Sequence, residues 1–503
     1  MAESAPPIED EPTGRTEPRP PTDASFLGHP RGLRSLFGLE LWERFSYLGM
    51  QAILVLYFAD TVLNGGLGLA PSTAASLTAA YGTLVYLVSV AGGWLADRVL
   101  GSYRSVLWGG ILIAAGHYTM AVPTGAATWA GLALIIAGTG LLKPNVSTMV
   151  GKLYATDDER RDAGFAIYYT GINIGAFLGP LVTGFLGQKI GYHWGFSAAA
   201  IGMTLGLVQY VLGRRHLAGR REGAEYPLPA HALRRALWTI GGCAGAVAVA
   251  AAVAGALGAL TLDRVVDLVS LASVVAPVVY FAVMFRSPRV TRPERARLRP
   301  YVVLFAASVV FNMILFQAYS VLTLLASDHA RTDVFGWDFP STWYGSVLGV
   351  VEVVGGPLIA ALWVALGRRQ PHASAKIATG VILGGLSFLV LVPATAGRTG
   401  EWEMAAWWLI ASFALLGIGD VILQTTGMSA TTKLAPAAFA GQTMALWFLS
   451  LALANGIQAQ VVRFYGEVPD PVYFGVTGAV AVVAGIAMIA AGPWLRRTMH
   501  PVH

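Results

Sequence analysis

The chain has 503 residues, of which 55% are apolar and 12% charged, with 59 glycines and a mean hydropathy of +0.59. That charge content is about half of what a soluble globular domain carries, which excludes an ordinary soluble enzyme, a disordered chain and a fibrous repeat. The formal charge of +6 follows the predicted loops, so no nucleic-acid partner is expected, and the one cysteine, Cys243, excludes a disulfide framework and a cysteine-based metal cluster.

The first 30 residues are rich in Pro, Glu, Asp and Thr and lack the apolar core of a secretory signal, so 1–30 is predicted to be a disordered cytoplasmic tail. Apolar runs that can cross a bilayer, at about 20 residues each, then fall at 36–59, 75–96, 105–122, 129–150, 164–186 and 195–212, a first six-helix bundle at 31–213. Two further spans, 236–260 and 265–285, lie in a linker at 214–299. Six more, at 301–326, 343–366, 377–392, 405–425, 442–461 and 473–494, form a second bundle at 300–498. The predicted fold class is therefore all-α integral membrane, with about 14 spans arranged six, two and six. Positive residues near span ends stay on the cytoplasmic side, and most of the 34 Lys and Arg do so only if both termini are cytoplasmic. Twenty-nine Arg against 5 Lys, with abundant Ala, suggest a GC-rich bacterial genome and hence a bacterial cytoplasmic membrane.

An ionisable group at mid-membrane costs about 2.5 to 3.5 kcal/mol on insertion scales, so a span with several needs partners or a wet cavity. The first span carries Glu40, Glu43, Arg44 and Tyr47 at i, i+3, i+4 and i+7, on one helical face. One guanidinium cannot neutralise two carboxylates, which makes one of them a candidate proton carrier; the same spacing also suits a structural ion cluster. Lys143, beside the helix-bending Pro144, adds a cation, and Asp420 adds an acid in the second half. A cavity positive on one wall and acidic on the other suits a zwitterion such as a short peptide; on the plainer reading Lys143 and Asp420 pair with each other. Tyr169 and Asn173, four apart on the fifth span, can bond peptide amides or neighbouring helices. The histidines show no ligand spacing, and His117 is expected to make an interhelical hydrogen bond. No metal is expected.

These residues fall in a recognisable order. His29-Pro30-Arg31-Gly32-Leu33 leads into Glu40-x-x-Glu43-Arg44-Phe45-Ser46-Tyr47; Gly92-Gly93-Trp94-Leu95-Ala96-Asp97-Arg98 runs to Gly101-Ser102-Tyr103-Arg104; Leu142-Lys143-Pro144-Asn145-Val146-Ser147 and the run 165–180 follow. Together they resemble the proton-coupled oligopeptide transporter (POT/PTR) family of the major facilitator superfamily, over nearly the whole first half. The resemblance implies a transporter and no enzyme, with two six-helix bundles around a central site, two extra helices between them, and no cofactor beyond the coupled proton. It implies that Glu40, Glu43 and Arg44 couple the proton, that Arg44 and Lys143 face the peptide carboxylate, and that Tyr81, Tyr169 and Asn173 contact substrate; Tyr47, on the same helical face as Arg44, is assigned to the substrate site with them. Gly93, Asp97, Arg98 and Gly101 match the cytoplasmic hinge motif, and Trp447 matches a family aromatic.

The second half departs from the family pattern. Asp420 stands where Glu is usual, still assigned to proton coupling and to substrate, and Gln424 replaces a small hydroxyl residue. Asn312 replaces an aromatic and Phe316 an acid, while Gln51 replaces the Arg that elsewhere pairs with that acid, so an outer closure through that ion pair is not expected. Glu352 is an additional acid, read as a substrate contact or second proton site, with a plain interhelical hydrogen bond as the alternative. The implied function is proton symport of di- or tripeptides, or of peptide-like compounds, by a monomeric unit in the lipid bilayer. Transport of a non-peptide natural product, in either direction, and a membrane sensor without transport are the rival readings.

Overall fold

Inside lipid the backbone has no partner but itself, so long apolar runs must be helical. The structure, a computed structural model, describes residues 24–499 apart from 156–157, 159, 218–222, 225–226, 260 and 399–401. The described chain is nearly all helix. In the first half these are α1 (Arg31–Ala59), α2 (Pro71–Leu95), α3 (Ser102–Met120), α4 (Gly125–Gly151), α5 (Arg161–Lys189) and α6 (Tyr192–Leu212), followed by α7 (Ala230–Ala256) and α8 (Leu262–Arg286). The second half contains α9 (Arg292–Leu315), α10 (Val321–His329), α11 (Ser346–Leu366), α12 (Ala373–Leu389), the short α13 (Val392–Thr395), α14 (Ala406–Leu434), α15 (Ala440–Val461), α16 (Asp470–Ala490) and α17 (Gly492–Met499).

Among the described residues, eleven helical stretches are long and apolar enough to cross a membrane, against fourteen predicted runs. The long helices α1, α3 and α7 lie outside that set; α1 does so because Arg31, Arg34, Glu40, Glu43 and Arg44 dilute its apolar content. The run predicted at 301–326 is not one smooth helix: the chain tightens at Phe316–Tyr319 and leaves helical geometry at Ser320 (φ −137°, ψ −89°) before α10 resumes.

The predicted tail needs a partial correction. Its first 23 residues lie outside the described residues, as do parts of the 214–299 linker. Residues 24–30, however, form an antiparallel pair, β1 (Ala24–Phe26) with β2 (His29–Pro30). They are ordered by an anchor that composition does not reveal: His29 is buried, with Nδ1 3.0 Å from the Tyr154 hydroxyl just beyond α4.

Small residues set the close helix crossings, as expected where packing rather than water drives association. Gly92 of α2 faces the Gly140 carbonyl of α4, and Gly109 of α3 faces that of Gly138, so a side chain at either would overlap backbone. Outward faces carry lipid-compatible residues such as Leu205, Val208, Val480, Val483 and Ile486. α8 packs against both α2 and α15, bridging the seam between the halves.

One apolar core joins the whole second half to Tyr47–Phe58 of α1, the start of α2 and the start of α6. A separate core, built from residues such as Leu33, Leu36, Val106, Val146, Met149 and Tyr210, belongs to the first half alone. The halves therefore meet at the end where α1 finishes and α5 finishes, here the distal end. They part toward the end where α1 and α5 begin, the proximal end.

Candidate functional site

The α1 face predicted from spacing is formed, and it is buried. Glu40 and Glu43 are 5% and 0% exposed and Arg44 8%. Both acids converge on one nitrogen: Arg44 Nε donates to Glu43 Oε2 at 2.5 Å and lies 3.4 Å from Glu40 Oε1. Arg44 Nη2, Glu40 Oε2 and Glu43 Oε1 have no hydrogen-bond partner among the described residues. The guanidinium thus keeps donors for a further carboxylate. α5 lies tight against α1 here because Gly175 has no side chain; a Cβ on it would come within 2.9 Å of Arg44 Cβ.

Lys143 does not pair with Asp420; among the described residues no ion pair joins them. Its ammonium lies 4.4 Å from the centre of the Tyr86 ring and 5.7 Å from that of Tyr47, while the Arg44 guanidinium lies 5.2 Å from Tyr47. Two cations thus share one aromatic wall, an arrangement favoured by the ring quadrupole. Tyr47 stacks on Tyr81 at 6.3 Å and its hydroxyl accepts from Gln51 Nε2 at 3.1 Å. The Tyr81 hydroxyl is buried without a partner among the described residues.

The second half supplies a polar network. Asn312 Nδ2 donates to the Ser308 carbonyl at 2.8 Å, and Asn312 Oδ1 accepts from Gln424 Nε2 at 3.1 Å, joining α9 to α14. Val351 packs on Gly417, and this close α11–α14 contact brings Glu352 within hydrogen-bonding reach of Asp420. Tyr319 stands near both acids. Trp447 is fully buried, its ring against Gly427.

At the distal end the halves are tied by neutral hydrogen bonds. Gln188 of α5 donates to Ser341 Oγ at 2.9 Å, and its Oε1 accepts from Thr342 N at 3.2 Å and Thr342 Oγ1 at 3.1 Å. Trp343 Nε1 donates to the Leu181 carbonyl at 3.0 Å. Gln51 donates to the Tyr47 hydroxyl, and the Phe316 ring meets that of Tyr86 at 5.9 Å. Toward the proximal end Tyr169 is 45% exposed and its hydroxyl reaches the second half at Met428 Sδ over a long 4.0 Å. Asn173 lies one turn deeper on α5, half-buried. The central groove is therefore closed distally and open proximally.

Asp97 and Arg98 occupy a wide helical turn, Ala96–Leu100, that ends at Gly101, where a φ of 77° favours glycine. Gly93 has ordinary room beside Pro144; its neighbour Gly92 makes the close crossing. His117 corrects an expectation: it is fully buried, but neither ring nitrogen has a hydrogen-bond partner among the described residues. Gly109 and Gly116 of its helix pack directly against the backbone of Gly138 and Gly131 on α4.

Sequence reasoning passes over Tyr86, Tyr319 and Gln188. Tyr86 follows Tyr81 by five residues on one span, a usable signal, yet its role beside Lys143 depends on the α2–α4 crossing. Gln188 stands one residue before the end of α5 and reads as an ordinary boundary residue.

A family model described as "POT family" matches residues 103–478. The chain is 44% identical over 479 residues to the uncharacterized transporter YclF of Bacillus subtilis strain 168, spanning 95% of this chain and 96% of that protein. It is 39% identical over 494 residues to a di-/tripeptide transporter of Lactococcus lactis subsp. lactis strain IL1403, spanning 93% and 96% respectively. A crystal structure of the peptide transporter POT in complex with sulfate is similar at a TM-score of 0.91 and 44% identity, over 94% of this chain and 97% of that one.

Proposed function

We propose, for a chain that belongs to the POT family, proton-driven symport of di- and tripeptides by alternating access. The fold is of the major facilitator type and multi-pass, and the chain is a transporter rather than an enzyme. The observation that carries the mechanism is the shared grip of Glu40 and Glu43 on Arg44 Nε, with guanidinium donors to spare. Protonation of Glu40 or Glu43 weakens that grip and frees Arg44 for a substrate carboxylate, with Lys143 as the second cation. Proton uptake and substrate binding then favour each other.

The substrate ammonium goes to the acidic wall of Asp420 and Glu352. Tyr47, Tyr81, Tyr169, Asn173, Asn312 and Gln424 bond or pack against the peptide between its ends, with Trp447 backing the second half. Lys143 and Asp420 are both held without pairing to each other, which supports a site kept ready for opposite charges.

The orientation that retains most Lys and Arg inside puts both termini in the cytoplasm of a bacterial cell, in its cytoplasmic membrane. In that orientation the proximal opening faces inward and Asp97–Arg98 lies at the cytoplasmic hinge. Two bundles, 31–213 and 300–498, rock about the midplane site, while the 214–299 segment packs outside and supplies no transport chemistry. The working unit is a monomer.

Uptake of a labelled dipeptide panel into proteoliposomes, with and without an inward acid gradient, tests the proposal. Accumulation driven by the gradient is expected; uptake that ignores the gradient removes the proton from the mechanism.

A further inference from the structure

The groove holds one acid more than a zwitterion needs. Glu40 and Glu43 are already committed to the Arg44 guanidinium. Asp420 and Glu352 remain, within hydrogen-bonding reach of each other. Among the described residues no lysine, arginine or histidine is paired with either, and Asp420 Oδ1 is buried without a hydrogen-bond donor. A single ammonium beside two carboxylates leaves one negative charge in excess, which is costly where water is scarce.

The rest of the groove fixes how a peptide lies against this pair. Arg44 is 8% exposed with Nη2 unpartnered, and Tyr81 is 4% exposed with its hydroxyl unpartnered among the described residues. Arg44, Lys143 and Tyr81 all gather at the Tyr47 ring, at 5.2, 5.7 and 6.3 Å, so the carboxyl end belongs there. Tyr86 carries Lys143 on its ring and is also within electrostatic range of Asp420, which puts the amino end of a short peptide toward the acids. The side chain of the first residue leaves the same carbon as that ammonium. One turn beyond half-buried Glu352 on α11, Gly356 borders open space, where a Cβ would meet no atom within 4 Å. A long first side chain therefore has room beside Glu352, whereas a basic second residue would lie near Arg44 and Lys143, where like charge opposes it.

We propose that the groove selects peptides whose first residue carries a second cation, such as an N-terminal lysine, ornithine or arginine, with the α-ammonium at Asp420 and the side-chain cation at Glu352. Gln424 also reaches Asp420 and holds that acid for the group every peptide has. Glu352 has no such holder among the described residues and suits the group that varies. The proposal rests on the peptide-symport reading above and narrows its substrate class.

The test is competition against gradient-driven uptake of labelled Ala-Ala in proteoliposomes, at one fixed pair of pH values. Unlabelled Lys-Ala is compared with Nε-acetyl-lysyl-alanine, which has the same shape at its first residue but no side-chain charge, and with Ala-Lys. Lys-Ala should compete at about tenfold lower concentration than its acetylated form, the effect of one charge-assisted contact, and Ala-Lys should gain no such advantage over Nε-acetylated Ala-Lys. The advantage of Lys-Ala should disappear in Glu352→Gln. Should that variant misfold, thermal stabilisation of the native chain in detergent by the same four peptides gives the ratio without any substitution. Equal potency of Lys-Ala and its acetylated form, an equal gain for Ala-Lys, or an advantage that survives Glu352→Gln overturns the proposal. Absence of Ala-Ala uptake under the gradient would count against symport instead, and the detergent comparison would still decide whether the second cation is selected.

Discussion

The Lys143 ammonium rests 4.4 Å from the centre of the Tyr86 ring instead of against a carboxylate. A cation–π contact is worth about 0.5 to 2 kcal/mol, too little to compete with a carboxylate brought into the groove. The ring therefore holds Lys143 in place without satisfying it. Replacing Lys143 by Gln should raise the KM for a dipeptide tenfold or more, through loss of one charge-assisted bond. Tyr86→Phe should be nearly neutral and Tyr86→Leu should raise KM several-fold. Equal kinetics for the Phe and Leu variants would remove the ring from this role.

Glu352 and Asp420 pose the complementary problem. Two acids within hydrogen-bonding reach, with Tyr319 and Tyr86 as the other titratable groups facing them, repel each other unless one holds a proton or a cation lies between them. A substrate ammonium meets that need. Asp420→Asn should therefore weaken peptide uptake tenfold or more, whereas Glu352→Gln should retain uptake and change its dependence on pH. Unchanged pH dependence in Glu352→Gln would leave Glu352 as a structural hydrogen-bonding residue.

Arg44 and its acids should separate binding from coupling. Arg44→Ala removes the guanidinium on which the mechanism turns and leaves two buried carboxylates without their cation, so both pH-driven uptake and counterflow should be lost. Glu40→Gln or Glu43→Gln should abolish accumulation driven by the acid gradient while counterflow survives, because exchange needs the substrate site but no net proton movement. Counterflow lost equally in all three variants would assign the cluster to helix packing, the other use of that spacing.

The legible parts of this site are those that depend on one helix. Glu40, Glu43 and Arg44 are readable because spacings of three and four residues fix a common face whatever surrounds it. The helical frame is readable because a long apolar run has one solution in lipid. The partner of Lys143 is not, since Tyr86 and Asp420 lie on different helices and only the α2–α4 crossing decides between them. The break at Ser320 lies inside a continuous apolar run with no proline to mark it. The order of residues 24–30 depends on a buried contact with a tyrosine 125 positions away from His29.

The distal closure gives a prediction about conformation. The seam is crossed by Gln188, whose single side chain makes three hydrogen bonds to Ser341 and Thr342. Neutral hydrogen bonds contribute about 0.5 to 1.5 kcal/mol each, so Gln188→Ala should cost the closed seam about 3 kcal/mol and shift the closed-to-open ratio about a hundredfold. Neutral bonds are also less sensitive to salt than an ion pair, so the shift should be nearly independent of ionic strength. The lone native thiol permits a direct reading: in a Cys243→Ser background, a Val347→Cys probe beneath the seam should react faster with a membrane-impermeant thiol reagent from the distal side when Gln188 is replaced. An unchanged labelling rate would mean that Trp343 and the apolar contacts around it close the seam unaided, and the three bonds of Gln188 would then only align helices already held together.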